Sequence, residues 1–316
     1  MEDGGEVEAM AEGETYKYLG LEQGKNVEHT KIKKRLEGVF FGRLKDLCRS
    51  GLNSKNLAKA INTFAIPVLI YSFGVIQWAA TDVRNLEMGI RKILTKYRMH
   101  HPRASVERVT LPRMDGGRGI ASLTELQASQ IHGLRVYFRD TKAESPLHRA
   151  VVAADKFTPL QLSVPILDVP GEPVGARMET WTQKALHGRY PNEISQDNVD
   201  KAASLAWLTE GSLFPETEGF MIAIQDQVVP TKNYRRYIIK DGTVDDRCRR
   251  CGVASETIQH VISGCPALAP VEYKHRHDQV AKIIHQELGV KYGLLKDKVP
   301  YYQYAPASVL QGNDQT

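Results

Sequence analysis

Cys248-Arg-Arg-Cys-Gly-Val-Ala-Ser-Glu-Thr-Ile-Gln-His260-Val-Ile-Ser-Gly-Cys265 holds three of the four cysteines in the chain. Its spacing is C-x2-C-x8-H-x4-C, and it runs on to Tyr273-Lys-His-Arg-His-Asp278. Two cysteines separated by two residues can reach one ion from a single tight turn, and a tetrahedral zinc centre takes four such donors. Cys248, Cys251, His260 and Cys265 are therefore the expected zinc ligands. Four protein donors leave no place for a catalytic water, so a structural site is expected. Arg247, Arg249 and Arg250 should lower the cost of the thiolate form. One histidine among three cysteines fits zinc better than an iron–sulfur cluster. The competing reading is a buried cysteine pair with an unrelated histidine, and metal analysis separates the two.

Working outward, the chain has 316 residues, a formal charge of +5 and 42% hydrophobic residues, enough for two or three modest units. Three of four cysteines committed to a metal point to a reducing, intracellular compartment, nuclear or cytoplasmic, and away from a secreted disulfide scaffold. The first fourteen residues carry six acidic groups and no basic one, so no signal peptide is expected. Ala60 to Thr81 has no charged residue. Asn62, Thr63, Pro67, Ser72, Gly74 and Gln77 interrupt it, which favours two buried helical pieces over a membrane span.

A short strand is expected at Tyr16-Lys-Tyr-Leu-Gly20. His29 to Ser50 has the helical period, with Ile32, Leu36, Val39, Phe40, Leu44 and Leu47 on one face. Its other face carries Lys31, Lys33, Lys34, Arg35, Arg43, Lys45 and Arg49. A second helix is expected from Ser54, with Leu57, Ile61 and Phe64 inward and a bend at Pro67. A third is expected from an Asp82 cap, burying Val83, Leu86, Ile90, Ile93 and Tyr97. Short connections between them imply a bundle. His100-His-Pro-Arg103 reads as a turn and not a metal pair. Gly116-Gly-Arg-Gly119 lacks the features of a phosphate loop, so it is expected to open the helix after Ser122. Prolines between Lys142 and Arg177 (Pro159, Pro165, Pro170, Pro173) mark the best domain boundary. Short helices are expected over Trp181 to Tyr190 and Val199 to Leu208. Glu216 to Thr231 fits strand or helix, and a last helix should bury Val280, Ile283, Ile284 and Leu288.

Basic residues gather on the first helix, between Arg84 and Arg118 (nine Lys or Arg against three acids), and around the metal ligands. Such patches hold phosphate backbones mainly by charge, and tyrosines beside them offer faces for unpaired bases, each worth roughly 1–3 kcal/mol. The expected contacts are Lys31, Lys33, Lys34, Arg35, Arg103, Arg113, Arg118, Tyr234, Arg235, Arg236, Arg249, Arg250 and Arg276. Tyr237 and Tyr273 are further stacking candidates. The competing reading is solvated faces and core tyrosines. Asp245-Asp246 is the one paired-aspartate motif, and it lacks the further carboxylates that a two-metal site needs.

Over about Thr15 to Leu310 the sequence resembles the C-terminal half of non-LTR retrotransposon reverse transcriptases, the site-specific type with a restriction-like endonuclease. Tyr16-Lys-Tyr-Leu-Gly20 resembles the hairpin closing the palm. His101-Pro-Arg103, Leu111-Pro-Arg113 and Gly116-Gly-Arg-Gly119 resemble the end of the thumb. Glu216-Thr-Glu-Gly-Phe220 and Ala223-Ile-Gln-Asp-Gln227 are similar to the linker. Cys248, Cys251, His260 and Cys265 match the zinc knuckle, Arg276-His-Asp278 the block after it, and Tyr301-Tyr-Gln-Tyr304 through Leu310 the lead-in to the endonuclease.

The resemblance implies a mainly α chain: a palm remnant and acidic lead-in at 1–20, a thumb-like bundle at 21–141 and a linker unit at 142–245. A zinc knuckle with its following helix fills 246–290, and a tail fills 291–316. The polymerase aspartates and endonuclease carboxylates of the family have no counterpart in the chain. The implied role is to hold RNA or DNA for target-primed reverse transcription, with the rest of a retrotransposon polyprotein as a possible partner and no activity alone. The alternatives are polymerase activity once a palm is supplied, and a host-adopted zinc adaptor.

Overall fold

In the computed structural model the described residues are 14–18, 20–24, 27–164 and 174–306. The described residues are mainly helical with almost no strand, and the chain divides into two compact units between Val228 and Val229. Residues 1–13 of the acidic lead-in, Leu19, Pro165, Pro170, Pro173 and Val309-Leu310 lie outside the described residues.

The first unit opens with an antiparallel hairpin, Tyr16–Tyr18 against Leu21–Gln23. Gly20 turns it at φ +83, a conformation that costs glycine nothing. The helix His29–Cys48 then buries Ile32, Leu36, Phe40, Leu44 and Cys48, one residue per turn. This stripe is narrower than the pattern suggests, and Val39 is exposed. Asn53 caps the helix Ser54–Ala60 by accepting the Asn56 N–H at 2.9 Å. That helix widens into one loose turn, Ile61–Ala65, closed by Ile66 N–H on the Ile61 carbonyl. Pro67, which has no N–H, then starts the piece Pro67–Ile70. Phe64, expected inside, sits on the outer side of the loose turn and is exposed. No helix among the described residues is long and apolar enough to cross a membrane.

The third helix, Ala80–Lys96, begins two residues before the expected cap. Asp82 reaches back from the first turn to accept the Ala79 N–H at 3.0 Å. Val83, Leu86, Ile90, Ile93 and Leu94 face one core with the first two helices, Trp78 and Met99. Ser122 caps the helix Leu123–Val136. Helices Pro146–Ala154, Val174–Thr182, Arg189–Ile194, Lys201–Thr209 and Pro215–Gln225 follow. The ambiguous segment at Glu216 is thus helix.

Buried guanidinium–carboxylate pairs join residues 99–119 to the helix Pro215–Gln225. Arg108 is fully buried 3.2 Å from Asp226, and it lies over the rings of Trp181 (4.9 Å) and Tyr190 (5.3 Å). Arg113 and Arg118 both grip Glu218. Gly219 lets the helix approach, since a Cβ there would stand 2.4 Å from the Met99 carbonyl oxygen. The compact units meet at Val228, and the ion pairs of Arg113 and Arg118 with Glu218 join residues on either side of the boundary expected at 141/142.

The second unit starts with Thr231 capping the helix Lys232–Tyr237. A hairpin-like loop bridged at Arg247 and Ser255 follows, then two wide turns, His260–Gly264 and Ala269–Tyr273. The long helix Lys274–Lys291 and an extended tail complete it.

Candidate metal centre

The loop from Arg247 to Ser255 folds back through Cys248 N–H on the Ala254 carbonyl and Gly252 N–H on the Cys248 carbonyl, both at 2.8 Å. Gly252 takes the left-handed turn at φ +68. This places Cys248 and Cys251 side by side. The third and fourth donors arrive from the wide turn: Thr257 Oγ1 accepts the His260 N–H at 3.0 Å. Tyr273 closes the far side. Its hydroxyl accepts the Cys265 N–H at 2.9 Å and faces the carbonyls of His260 and Val261 at 3.1 and 3.0 Å.

The result is a Cys248–Cys251–His260–Cys265 cluster whose donor atoms all lie within 4.8 Å of one another, and it could hold a metal ion. Cys248 Sγ lies 3.9 Å from Cys265 Sγ, and Cys251 Sγ lies 3.4 Å from His260 Nε2. Backbone N–H groups of Ala254 and Val253 draw the Cys251 thiol down to about 6, while burial pushes the Cys265 thiol up. The four expected ligands are thus brought together.

No protein-family model matches this sequence, and no curated protein matches it.

Glu256 is the residue that sequence reasoning missed here. Burial alone would raise its carboxyl. The Arg249 side chain and the N–H groups of Arg249 and Lys232 overcome this and hold it down at about 2. Arg249 Nη2 stands 2.6 Å and Nε 2.8 Å from the carboxylate. Arg249 is therefore a clamp on the ligand loop, although its side chain stays 58% exposed. No spacing in the sequence signals this pair, because it depends on where the loop returns.

The remaining expected contacts divide by burial. Lys31, Lys34 and Arg103 of the first unit, and Arg235, Arg236, Arg250 and Arg276 of the second, are exposed. Arg235 pairs with Asp241 at 2.8 Å, Arg236 lies over the Tyr237 ring, and Arg276 lies over the Tyr273 ring. Lys33 is half-buried against Asp82 at 2.6 Å, and Arg35 against Glu22 at 3.3 Å.

Three expectations are corrected. Arg118 is buried on Glu218 and the Met99 carbonyl. Arg113 is spent on Glu218 and the Leu208 carbonyl. Tyr234 is 6% exposed and offers no face for a base, whereas Tyr237 is 56% exposed. Arg113 and Arg118 are drawn inward because the Glu218 carboxylate satisfies them there.

The other motifs are structural. Gly116, Gly117 and Gly119 donate their N–H groups to the carbonyls of Arg113, Pro112 and Leu111, so no anion cradle remains. His101 Nδ1 accepts the Arg103 N–H at 3.2 Å, as a turn requires. Asp245 accepts the Arg247 N–H, and Asp246 accepts from Ser255 and Tyr237. Both aspartates thus hold the hairpin.

Proposed function

We propose that this chain is a nucleic-acid-holding piece of a reverse transcriptase of the non-LTR retrotransposon type, its second unit stapled by zinc. Zinc–sulfur bonds of about 2.3 Å and zinc–nitrogen bonds of about 2.0 Å at tetrahedral angles set donors about 3.5–3.8 Å apart. The two close donor pairs, at 3.9 and 3.4 Å, fit that geometry. Three thiolates and one imidazole at tetrahedral spacing are also a donor set of structural zinc sites, and one that hard, oxygen-seeking ions do not take. The ion's role is structural: with four protein donors it gives the short loop a core that its side chains cannot supply.

The observation carrying this reading is the convergence of the four donors on a loop whose outer residue, Arg250, is a free-standing exposed cation. Arg235, Arg236 and the half-exposed Tyr237 ring are in the same unit. Cations of this kind attract phosphates through counterion release, and an exposed tyrosine can stack on a splayed base.

Two measurements test it. Metal analysis of the purified chain should find stoichiometric zinc. Binding to single-stranded RNA or DNA should weaken steeply as salt rises, and Arg235→Gln with Arg250→Gln should reduce the slope by about two. Salt-independent binding would remove the electrostatic reading. Primer extension by the isolated chain would replace it with the polymerase alternative.

A further inference from the structure

The helix Lys274–Lys291 is turned the opposite way from expectation. Val280, Ile283, Ile284 and Leu288 are 55%, 42%, 54% and 47% exposed. Its inward side is polar: Gln286 exchanges hydrogen bonds with the Val299 backbone at 3.0 and 3.1 Å, and His285 meets the Tyr304 hydroxyl at 2.7 Å. Among the described residues, the tail therefore covers the polar side and leaves the apolar one exposed. An amphipathic helix normally buries its apolar stripe, and a contiguous exposed one marks a contact with another molecule.

The order of residues along the stripe identifies the occupant. Arg276, Val280, Ile283 and Glu287 follow one another at steps of four, three and four, the seam of a paired helix, with Ile284 and Leu288 flanking it. The seam is also self-complementary about a midpoint between Ala281 and Lys282. Inverting it there lays Val280 on Ile283 and Arg276 on Glu287. A parallel copy would set Arg276 against Arg276 and Glu287 against Glu287. Only the antiparallel pairing joins opposite charges, and it repeats each contact twice, as a two-fold interface requires.

We propose that a second copy of this chain docks on this stripe as an antiparallel helix pair. Arg276 is exposed in the first turn of the helix and lies over the Tyr273 ring at 5.2 Å. Glu287 holds Lys298 within its own chain, but both side chains are more than half exposed, so the exchange of partners costs little. The helix of eighteen residues is about 27 Å long, which suits a reversible dimer better than an obligate one.

Sedimentation velocity of the full chain, purified with its metal and free of nucleic acid, tests this over a concentration series. A reversible monomer–dimer equilibrium is expected, and Ile283→Lys should leave monomer only. Arg276→Glu and Glu287→Arg should each weaken association about tenfold or more, and the double variant should regain it. Circular dichroism confirms that each exposed substitution leaves the helix intact. A chain that stays monomeric throughout overturns the proposal and leaves the stripe to a different protein. A double variant no better than the singles also overturns it, since the two charges then do not meet. Because no nucleic acid is present, failure here leaves the proposed function standing.

Discussion

Arg118 and Arg250 are the same residue type in equally basic surroundings, and the fold uses them in opposite ways. Arg118 is desolvated and needs Glu218, while Arg250 stands in solvent with its charge uncommitted. His100 shows a related effect. Its ring is 4% exposed, and burial, then Arg118, Arg91, His101 and Arg108, lowers it to about 3. In the unfolded chain the same group would take a proton near 6.5. Between those values the unfolded state binds more protons, so this histidine's contribution to stability is complete above about 6.5 and declines as the pH falls toward 3. Urea unfolding followed by tryptophan fluorescence should show that decline in the natural chain and a flatter profile in His100→Gln; equal slopes would refute it. At the metal centre, Cys265→Ser should abolish stoichiometric zinc, because a serine hydroxyl does not replace a thiolate. Retained zinc would remove Cys265 from the ligand set.

Among the elements, the helix Pro215–Gln225 is the one on which the first unit closes. It brings Glu218 to Arg113 and Arg118, and Asp226 follows it to meet Arg108 and accept the Ser105 N–H at 2.8 Å. Asp226→Asn keeps the shape and leaves Arg108 buried without a counter-charge, so a loss of about 3–5 kcal/mol is expected in urea unfolding. A loss below about 1 kcal/mol would mean that water reaches the site. The element pattern was legible where one face meets a core, as in His29–Cys48, since apolar spacing records burial directly. It was not legible in this helix, whose composition suits strand equally well. Lys274–Lys291 reads as an inward stripe because periodicity fixes which residues share a face and not the direction of that face. The ligands were legible because two thiols, an imidazole and a third thiol at these spacings have few other uses. The clasp of Glu256 on Arg249 was not, since ion pairs depend on where the chain returns.

For the whole molecule, the division at Val228 separates two sources of stability. The first unit has an apolar core of helices; the second gathers around four donor side chains. Chelation should therefore raise hydrogen exchange across residues 229–306 and leave the bundle protected. Uniform protection after metal removal would show that the cluster does not hold the second unit together. Glu218 carries a consequence for how the chain may be divided. A ribosome that has not yet reached it has already released Arg113 and Arg118, which must wait, hydrated, for the acid that lets them turn inward. The first unit can thus finish folding only after its last helix emerges, and an expression fragment cut at the proline-rich stretch would leave two stranded cations where its core should close.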